Sequence, residues 1–155
     1  LEGYGPHGIA ILVEAATDNN NRTVANIRSY FNKCDGNLAT SGSVDFLFNH
    51  LCFFQIRDEG LDIEELELDL IDFGVTDLSK SESEISITAK FENFGSLQKE
   101  LERRKFDIIS SEFEREAITL KDLSEDEIIK VEKLINMIDE DDDVQNVYHN
   151  MKSDN

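Results

Sequence analysis

Two hydrophobic periods alternate along the chain. Ile9-Ala10-Ile11-Leu12-Val13 is an unbroken apolar run behind a turn made from Gly3, Gly5, Pro6 and Gly8, and it predicts a central strand buried on both faces. Beyond the polar loop Thr17-Asp18-Asn19-Asn20-Asn21, the residues Val24, Ile27, Phe31 and Cys34 recur at helical spacing, and Gly36 can end that helix. Val44, Phe46 and Phe48 alternate as a strand after the turn Ser41-Gly42-Ser43, and Leu51 to Ile56 follows as a second strand at hairpin distance.

Ile63, Leu66, Leu70 and Phe73 mark a further helix, stopped by Gly74. Val75 to Leu78 and Ile85 to Phe91 read as strands joined across Ser79-Lys80-Ser81-Glu82. Phe94, Leu97 and Leu101 predict another helix, and Phe106 to Phe113 another strand. Ser124-Glu125-Asp126-Glu127 is a capping box, whose Ser and Glu oxygens satisfy backbone N–H groups at a helix start. The helix it opens carries Ile128, Val131, Ile135 and Ile138 on one face, and Val144, Val147 and Tyr148 predict a short last strand. The order is β-α-β, then β-α-β-β-α-β, then α-β. The middle six elements form a ferredoxin-like unit by themselves, whereas the flanking pieces complete each other. The predicted fold class is therefore α+β: a discontinuous α+β domain, residues 1–49 plus 118–155, interrupted by an inserted ferredoxin-like domain, residues 50–117.

Charge narrows the function classes. The chain of 155 residues carries 34 acids against 15 bases, net −19, and it is uneven: residues 1–57 sum to −1 and residues 58–155 to −18. Phosphate backbones are bound by clustered Lys and Arg, so this surface does not bind DNA or RNA by itself. Apolar residues make up 39% and include ten Phe, which is material for a core and argues against a disordered chain. The longest apolar runs, Ile9 to Val13 and Leu51 to Phe54, are far too short to span a bilayer, so no membrane association is expected. Cys34 and Cys52 lack metal-ligand spacing and read as apolar fillers in a reducing compartment.

Chemical motifs do not survive inspection. Gly3-Tyr4-Gly5-Pro6-His7-Gly8 satisfies G-x-G-x-x-G, but its glycines precede a strand instead of following one, which inverts the dinucleotide-binding context. A calcium loop starting at Asp139 needs Gly at its sixth place and Glu at its twelfth, where Val144 and Asn150 stand; Asp139 to Asp143 reads as a solvated helix end. His7, His50 and His149 have no partner at ligand spacing. No catalytic set, metal or cofactor is expected, and the chain reads as a macromolecule-binding module, not an enzyme. A polar cluster remains in the first third: Tyr4, the Asp18 to Asn21 loop, Arg22, Arg28 and Lys33. It can face an RNA backbone or a ribosomal surface, or it can serve as helix caps and turns.

Several of these segments together resemble a known family. Glu2-Gly3-Tyr4-Gly5-Pro6 before an apolar strand, Thr17-Asp18-Asn19, Asn21-Arg22-Thr23, Phe31-Asn32-Lys33, Gly36-Asn37-Leu38 and Gly42-Ser43-Val44 occur in the order of the YebC/PmpR family. Asp141-Asp142-Asp143-Val144-Gln145-Asn146-Val147-Tyr148 looks like that family's closing motif. The resemblance implies a basic helical N-terminal domain ahead of an α+β domain interrupted by a ferredoxin-like one, so that this chain starts where the basic domain ends. It implies regulation of gene expression: a ribosome-associated translation factor, or a transcriptional regulator binding promoter DNA. RNA or DNA contact would fall mainly on the upstream basic domain. A monomer in the cytoplasm, or in a mitochondrial matrix, is the accompanying expectation, with a ferredoxin-like small-molecule sensor as the reading from another class. Contact residues carried over or placed beside the motifs are Tyr4, Asn19, Asn21, Arg22, Arg28 and Lys33; structural ones are Gly3, Gly5, Pro6, Asp18 and Thr23. The sequence departs from the family pattern at Asp35 and Ala39, where Gly is expected, at Cys52, expected as a turn Gly, and near Ala117, where a Pro is expected.

Overall fold

The apolar run after the opening turn becomes β2 (Ala10–Ala15), an inner strand of the first of two sheets. A computed structural model describes residues 1–152 of the chain. On either side of β2 lie β1 (Glu2–Tyr4) and the closing strand β8 (Val144–His149), both antiparallel to it, while β3 (Asn37–Ala39) adds to the far side of β1. One face of this sheet is covered by α1 (Asn20–Lys33) and α4 (Glu125–Asp139). Ile9, Ile11 and Val13 meet Ile27 and Phe31 of α1 and Val131, Leu134 and Ile138 of α4 in one buried cluster. Ala10 and Leu12 point to the other face and pack with Val44 and Phe48. Both faces of β2 are thus dry, as its continuous hydrophobicity requires.

The turn at the start contains more than a turn. Glu2–Tyr4 is a strand, and sequence patterning misses it and Asn37–Ala39 because each has three residues and little apolar content. Gly3 and Gly36 permit this pairing. A Cβ at Gly3 would lie 2.7 Å from the Asn37 carbonyl, and one at Gly36 would lie 2.7 Å from the Tyr4 carbonyl. The predicted strand through Val44, Phe46 and Phe48 is corrected as well. Asp45–Leu47 is a 3-10 turn and a single strand, β4 (Phe48–Arg57), replaces the expected hairpin. The cause is a carboxylate: Glu2 accepts from the N–H groups of Gly42 (2.6 Å), Val44 (3.0 Å) and Asp45 (2.6 Å), which fixes this segment as a loop.

The second sheet has the strand order β5-β6-β4-β7, with β5 (Val75–Ser81), β6 (Glu84–Lys90) and β7 (Ile108–Ala117). α2 (Ile63–Leu70) connects β4 to β5, and α3 (Phe94–Arg103) connects β6 to β7. This is the connectivity of a β-α-β-β-α-β unit. Cys52, Phe54 and Ile56 of β4 and Ile85, Ile87 and Ala89 of β6 face Leu66, Leu70, Leu97 and Leu101 of the helices. Cys52 lies in mid-strand, fully buried, and not in a turn. The predicted strand Phe106 to Phe113 starts and ends later, and the β5–β6 connection shortens to Glu82-Ser83 with Glu82 in the left-handed region (φ 51°).

β7 runs antiparallel to β4, because Arg57 donates to the Asp107 carbonyl at one end and Ile118 to that of Leu47 at the other. These two bonds are out of step by one residue, so β7 contains a bulge. The bulge puts Ile108 and Phe113, an odd number apart, on the same helix-covered face. The chain divides into two compact units, Leu1–Phe48 with the chain from Ala117 onward, and Asn49–Glu116. Among the described residues no helix is long and apolar enough to cross a membrane.

Candidate functional site

α1 begins where the polar loop predicted it would. The Asn19 side chain caps it, accepting from the Arg22 N–H at 3.1 Å, and Asn19 in turn donates its own N–H to the Thr17 hydroxyl at 3.0 Å. The helix places Thr23 on its buried side and Arg22 beside it. From the other end of the chain, the loop after α4 supplies Asp143. The Thr23 hydroxyl lies 2.8 Å from Asp143 Oδ2, to which it donates, and 2.8 Å from the Thr17 hydroxyl. Arg22 bridges Asp18 at 3.1 Å and Asp143 at 3.2 Å. Ala16 donates to the Asp143 carbonyl at 2.9 Å, and the Asp143 N–H to Asp141 Oδ1 at 2.9 Å. Tyr30, two turns further along α1, donates to Asp141 Oδ2 at 2.7 Å.

The acidic run is therefore not only a solvated helix end. Asp141 and Asp143 are receptors for hydroxyls and a guanidinium from α1, which offsets their unfavourable position past a helix C-terminus. The hydroxyl of Thr23, followed by Arg22, outweighs burial and holds the Asp143 carboxyl below its ordinary range. The same contact with Asp143 raises Arg22 further. Around this clamp is an open polar cleft of about 490 Å³ bordered by Arg22, Asn26, Tyr30 and Glu140 to Asp143. Among the described residues no three His, Cys, Asp or Glu side chains converge to hold a metal ion.

Tyr30 provides a spectroscopic handle on the clamp. The bond to Asp141, then burial and the nearby carboxylate charges, push its phenol up to about 12 from an ordinary 10.0. A raised phenol stabilises the fold fully below pH 10.0, and that contribution is lost as pH rises through about 12. In an ultraviolet titration Tyr30 is expected to ionise late, and Asp141→Asn to bring it back toward an ordinary phenol. Ionisation of Tyr30 at the ordinary phenol value, unchanged by Asp141→Asn, would dismiss the bond.

The remaining predicted contact residues separate into groups. Asn19, Asn21 and Arg22 gather at the start of α1 with Asp18 and Thr23. Lys33 stands in the last turn, about 16 Å along the axis from Arg22 and on nearly the same side, while Arg28 shares a side with Asn21 (from a rise of ~1.5 Å and ~100° per residue). Asn21, Arg28 and Lys33 are exposed. Tyr4 is not with them. It pairs with Ala10 and so faces the side of the sheet opposite α1, where its hydroxyl donates to the Ser43 carbonyl at 3.4 Å. Gly5 and Pro6 form the turn into β2, packed against Leu134 of α4; a Cβ at Gly5 would come 3.3 Å from its Cδ2. The nucleotide-loop pattern thus connects two antiparallel strands and opens no α-helix.

Tyr30, Asp141 and Asp143 are clamp side chains that the sequence did not single out as contacts, and Glu2 is the unforeseen carboxylate that fixes the loop on the sheet's other face. Asp141 and Asp143 fall within the closing segment and Glu2 within the opening one, but the pairing of Thr23 with Asp143 spans 120 positions and leaves no local signal.

The description "TACO1/YebC second and third domain" matches residues 1–151. The chain belongs to the TACO1/YebC family. A "Probable transcriptional regulatory protein" of Flavobacterium johnsoniae is 61% identical over 99% of this chain and 65% of its own length. One from Parabacteroides distasonis is 53% identical over 99% of this chain and 63% of its length. The chain thus spans just under two thirds of these relatives. In structure it is similar to a conserved hypothetical protein of Aquifex aeolicus, with a TM-score of 0.68 at 34% identity, covering 97% of this chain and 63% of that one. These TACO1/YebC relatives carry the names of regulatory proteins, not of enzymes.

Proposed function

We propose that this chain is the non-enzymatic body of a cytoplasmic, ribosome-associated translation factor, with the exposed side of α1 facing RNA or ribosomal surface. One observation carries the reading. In a chain of net charge −19, α1 (Asn20–Lys33) holds three cations and no acid. Arg22 is occupied by Asp18 and Asp143, so its part is to set the helix in place. Arg28 and Lys33, with Asn21 and Asn32, remain on the exposed surface for phosphates and amide acceptors. Two cations are few for a long phosphate backbone, so the larger electrostatic share belongs to a basic partner element.

A second reading has its own support. The relatives' names point to transcription, and a regulator of that kind would hold promoter DNA. Sedimentation with purified ribosomes separates the two. The translation reading expects salt-sensitive co-sedimentation that weakens when Arg28→Ala and Lys33→Ala are combined, with Arg22 left intact to preserve the clamp. Unchanged pelleting removes α1 from the contact. Specific promoter binding without ribosome association replaces the translation reading with the transcriptional one.

A further inference from the structure

The strand order leaves β7 at the edge of the second sheet, hydrogen-bonded to β4 on one side only. Edge strands are templates for another strand, and proteins usually keep them short or cover them. Among the described residues β7 is neither short nor covered by another strand. It has ten residues, and Ile109 to Glu114 are all exposed. Two of them are large and apolar, Ile109 at 43% and Phe113 at 46% exposure.

Phe113 belongs to an aromatic group on the helix-covered face. It meets Phe94 edge-on at 4.7 Å and Phe91 edge-on at 5.2 Å, and Phe91 stacks on His50 at 3.7 Å. Phe91 is itself 40% exposed. A strand laid along β7 would find a ready apolar contact at Phe113 and Phe91 for one of its side chains.

Charge selects the occupant. Residues 49–116 contain 18 acids and eight bases, net −10. Several of those bases pair internally: Arg57 with Asp107, Lys80 with Asp58, Arg103 with Glu100, and Arg104 with Glu100 and Asp69. β7 itself presents Glu112, Glu114 and Glu116 at alternate positions, all exposed. Alternate positions of a strand share a face, so the edge offers a row of carboxylates alongside the backbone groups of its outer side, where no other strand pairs among the described residues. A second copy of β7 would place carboxylates against carboxylates. Nucleic acid would meet the same repulsion.

We propose that β7 is a docking edge for an extended, basic segment of a partner protein, which joins the sheet as a fifth strand with Lys or Arg against Glu112, Glu114 and Glu116 and an apolar residue against Phe113. Backbone hydrogen bonds supply affinity, and the carboxylate row supplies selectivity. This inference stands on the second unit and is independent of the role given to α1.

The test uses the 155-residue chain and a labelled peptide of about ten residues alternating Lys and Val, long enough to cover the strand. Expected are saturable binding by fluorescence anisotropy, slower hydrogen exchange of the Ile109 to Glu114 amides, and no binding of the Glu-for-Lys peptide. A peptide N-methylated at alternate residues keeps its charge but cannot extend the ladder, and its affinity is expected to fall about tenfold or more. Glu112→Lys with Glu114→Lys and Glu116→Lys lie on an exposed edge and leave the core intact; they are expected to abolish binding of the basic peptide. Equal binding of the N-methylated peptide, unchanged affinity in the charge-reversed variant, or protection at another strand overturns the proposal. Self-association through β7 in sedimentation overturns it too, in favour of a second copy.

Discussion

Glu2→Gln is expected to destabilise the first unit by about 3 kcal/mol, the scale of losing charge-assisted hydrogen bonds at a buried site. Glu2 is only 9% exposed, and its carboxylate gathers three backbone N–H groups, two on Oε1 and one on Oε2. An amide cannot copy this. Whichever way Gln turns, its NH₂ faces at least one backbone donor. The pH dependence follows from the same bonds. Burial pushes the carboxyl up, but the N–H groups of Gly42, Val44 and Asp45 outweigh it and hold it below the ordinary 4.5. A lowered carboxyl stabilises the fold above pH 4.5 and loses that contribution as pH falls through its folded value. The gap in stability between wild type and Glu2→Gln should therefore narrow in acid. Chemical unfolding at pH 7 and below, with hydrogen exchange at Gly42, Val44 and Asp45, measures both effects. A loss below ~0.5 kcal/mol with unchanged exchange would mean that water replaces the carboxylate.

Phe31→Ala is the second large effect, at about 4 kcal/mol for removing a fully buried aromatic ring. Phe31 also limits its neighbours. A Cβ at Gly3 would approach its ring to 2.9 Å and the Asn37 carbonyl to 2.7 Å. Gly3→Ala is therefore destabilising on its own, by about 1–3 kcal/mol for overpacking. In the Phe31→Ala background the ring contact is relieved, but the carbonyl stays. Gly3→Ala should remain unfavourable there, by less than in wild type, and a double-mutant cycle in denaturant reads the difference. A neutral Gly3→Ala in that background would assign the whole restriction to the ring.

Much of the architecture was legible because it rests on long apolar patterns. Ile9 to Val13, the Ile27/Phe31/Cys34 stripe and the Ser124/Glu127 box predict β2, α1 and α4 with little error. The stripe of α4 turned slightly, so that Leu134 is buried and Ile135 only half-buried. What failed was short or non-local. β1 and β3 are held by glycine-permitted approach and not by hydrophobicity. The segment at Val44 to Phe48 alternates like a strand, yet a carboxylate some 40 positions upstream captures its N–H groups. In the candidate site, α1's cap and cations could be read locally. The Thr23–Asp143 and Tyr30–Asp141 bonds could not, because both partners are ordinary polar residues until the fold joins them. The separation of Tyr4 from the α1 cluster was hidden for the same reason, since only the sheet decides which face a residue takes.

The placement of β8 beside β2 also sets an order of events during synthesis. A chain emerging from its N-terminus has every strand of the second unit once Ala117 is out. The first unit must wait for Val144–His149 and for the Asp143 carboxylate that fastens α1. The inner unit can be complete while the outer one still shows an unpaired β2 edge and an uncovered helix face. For that interval the most hydrophobic strand of the first unit depends on β8 arriving, and a chain ended before β8 keeps that exposure permanently.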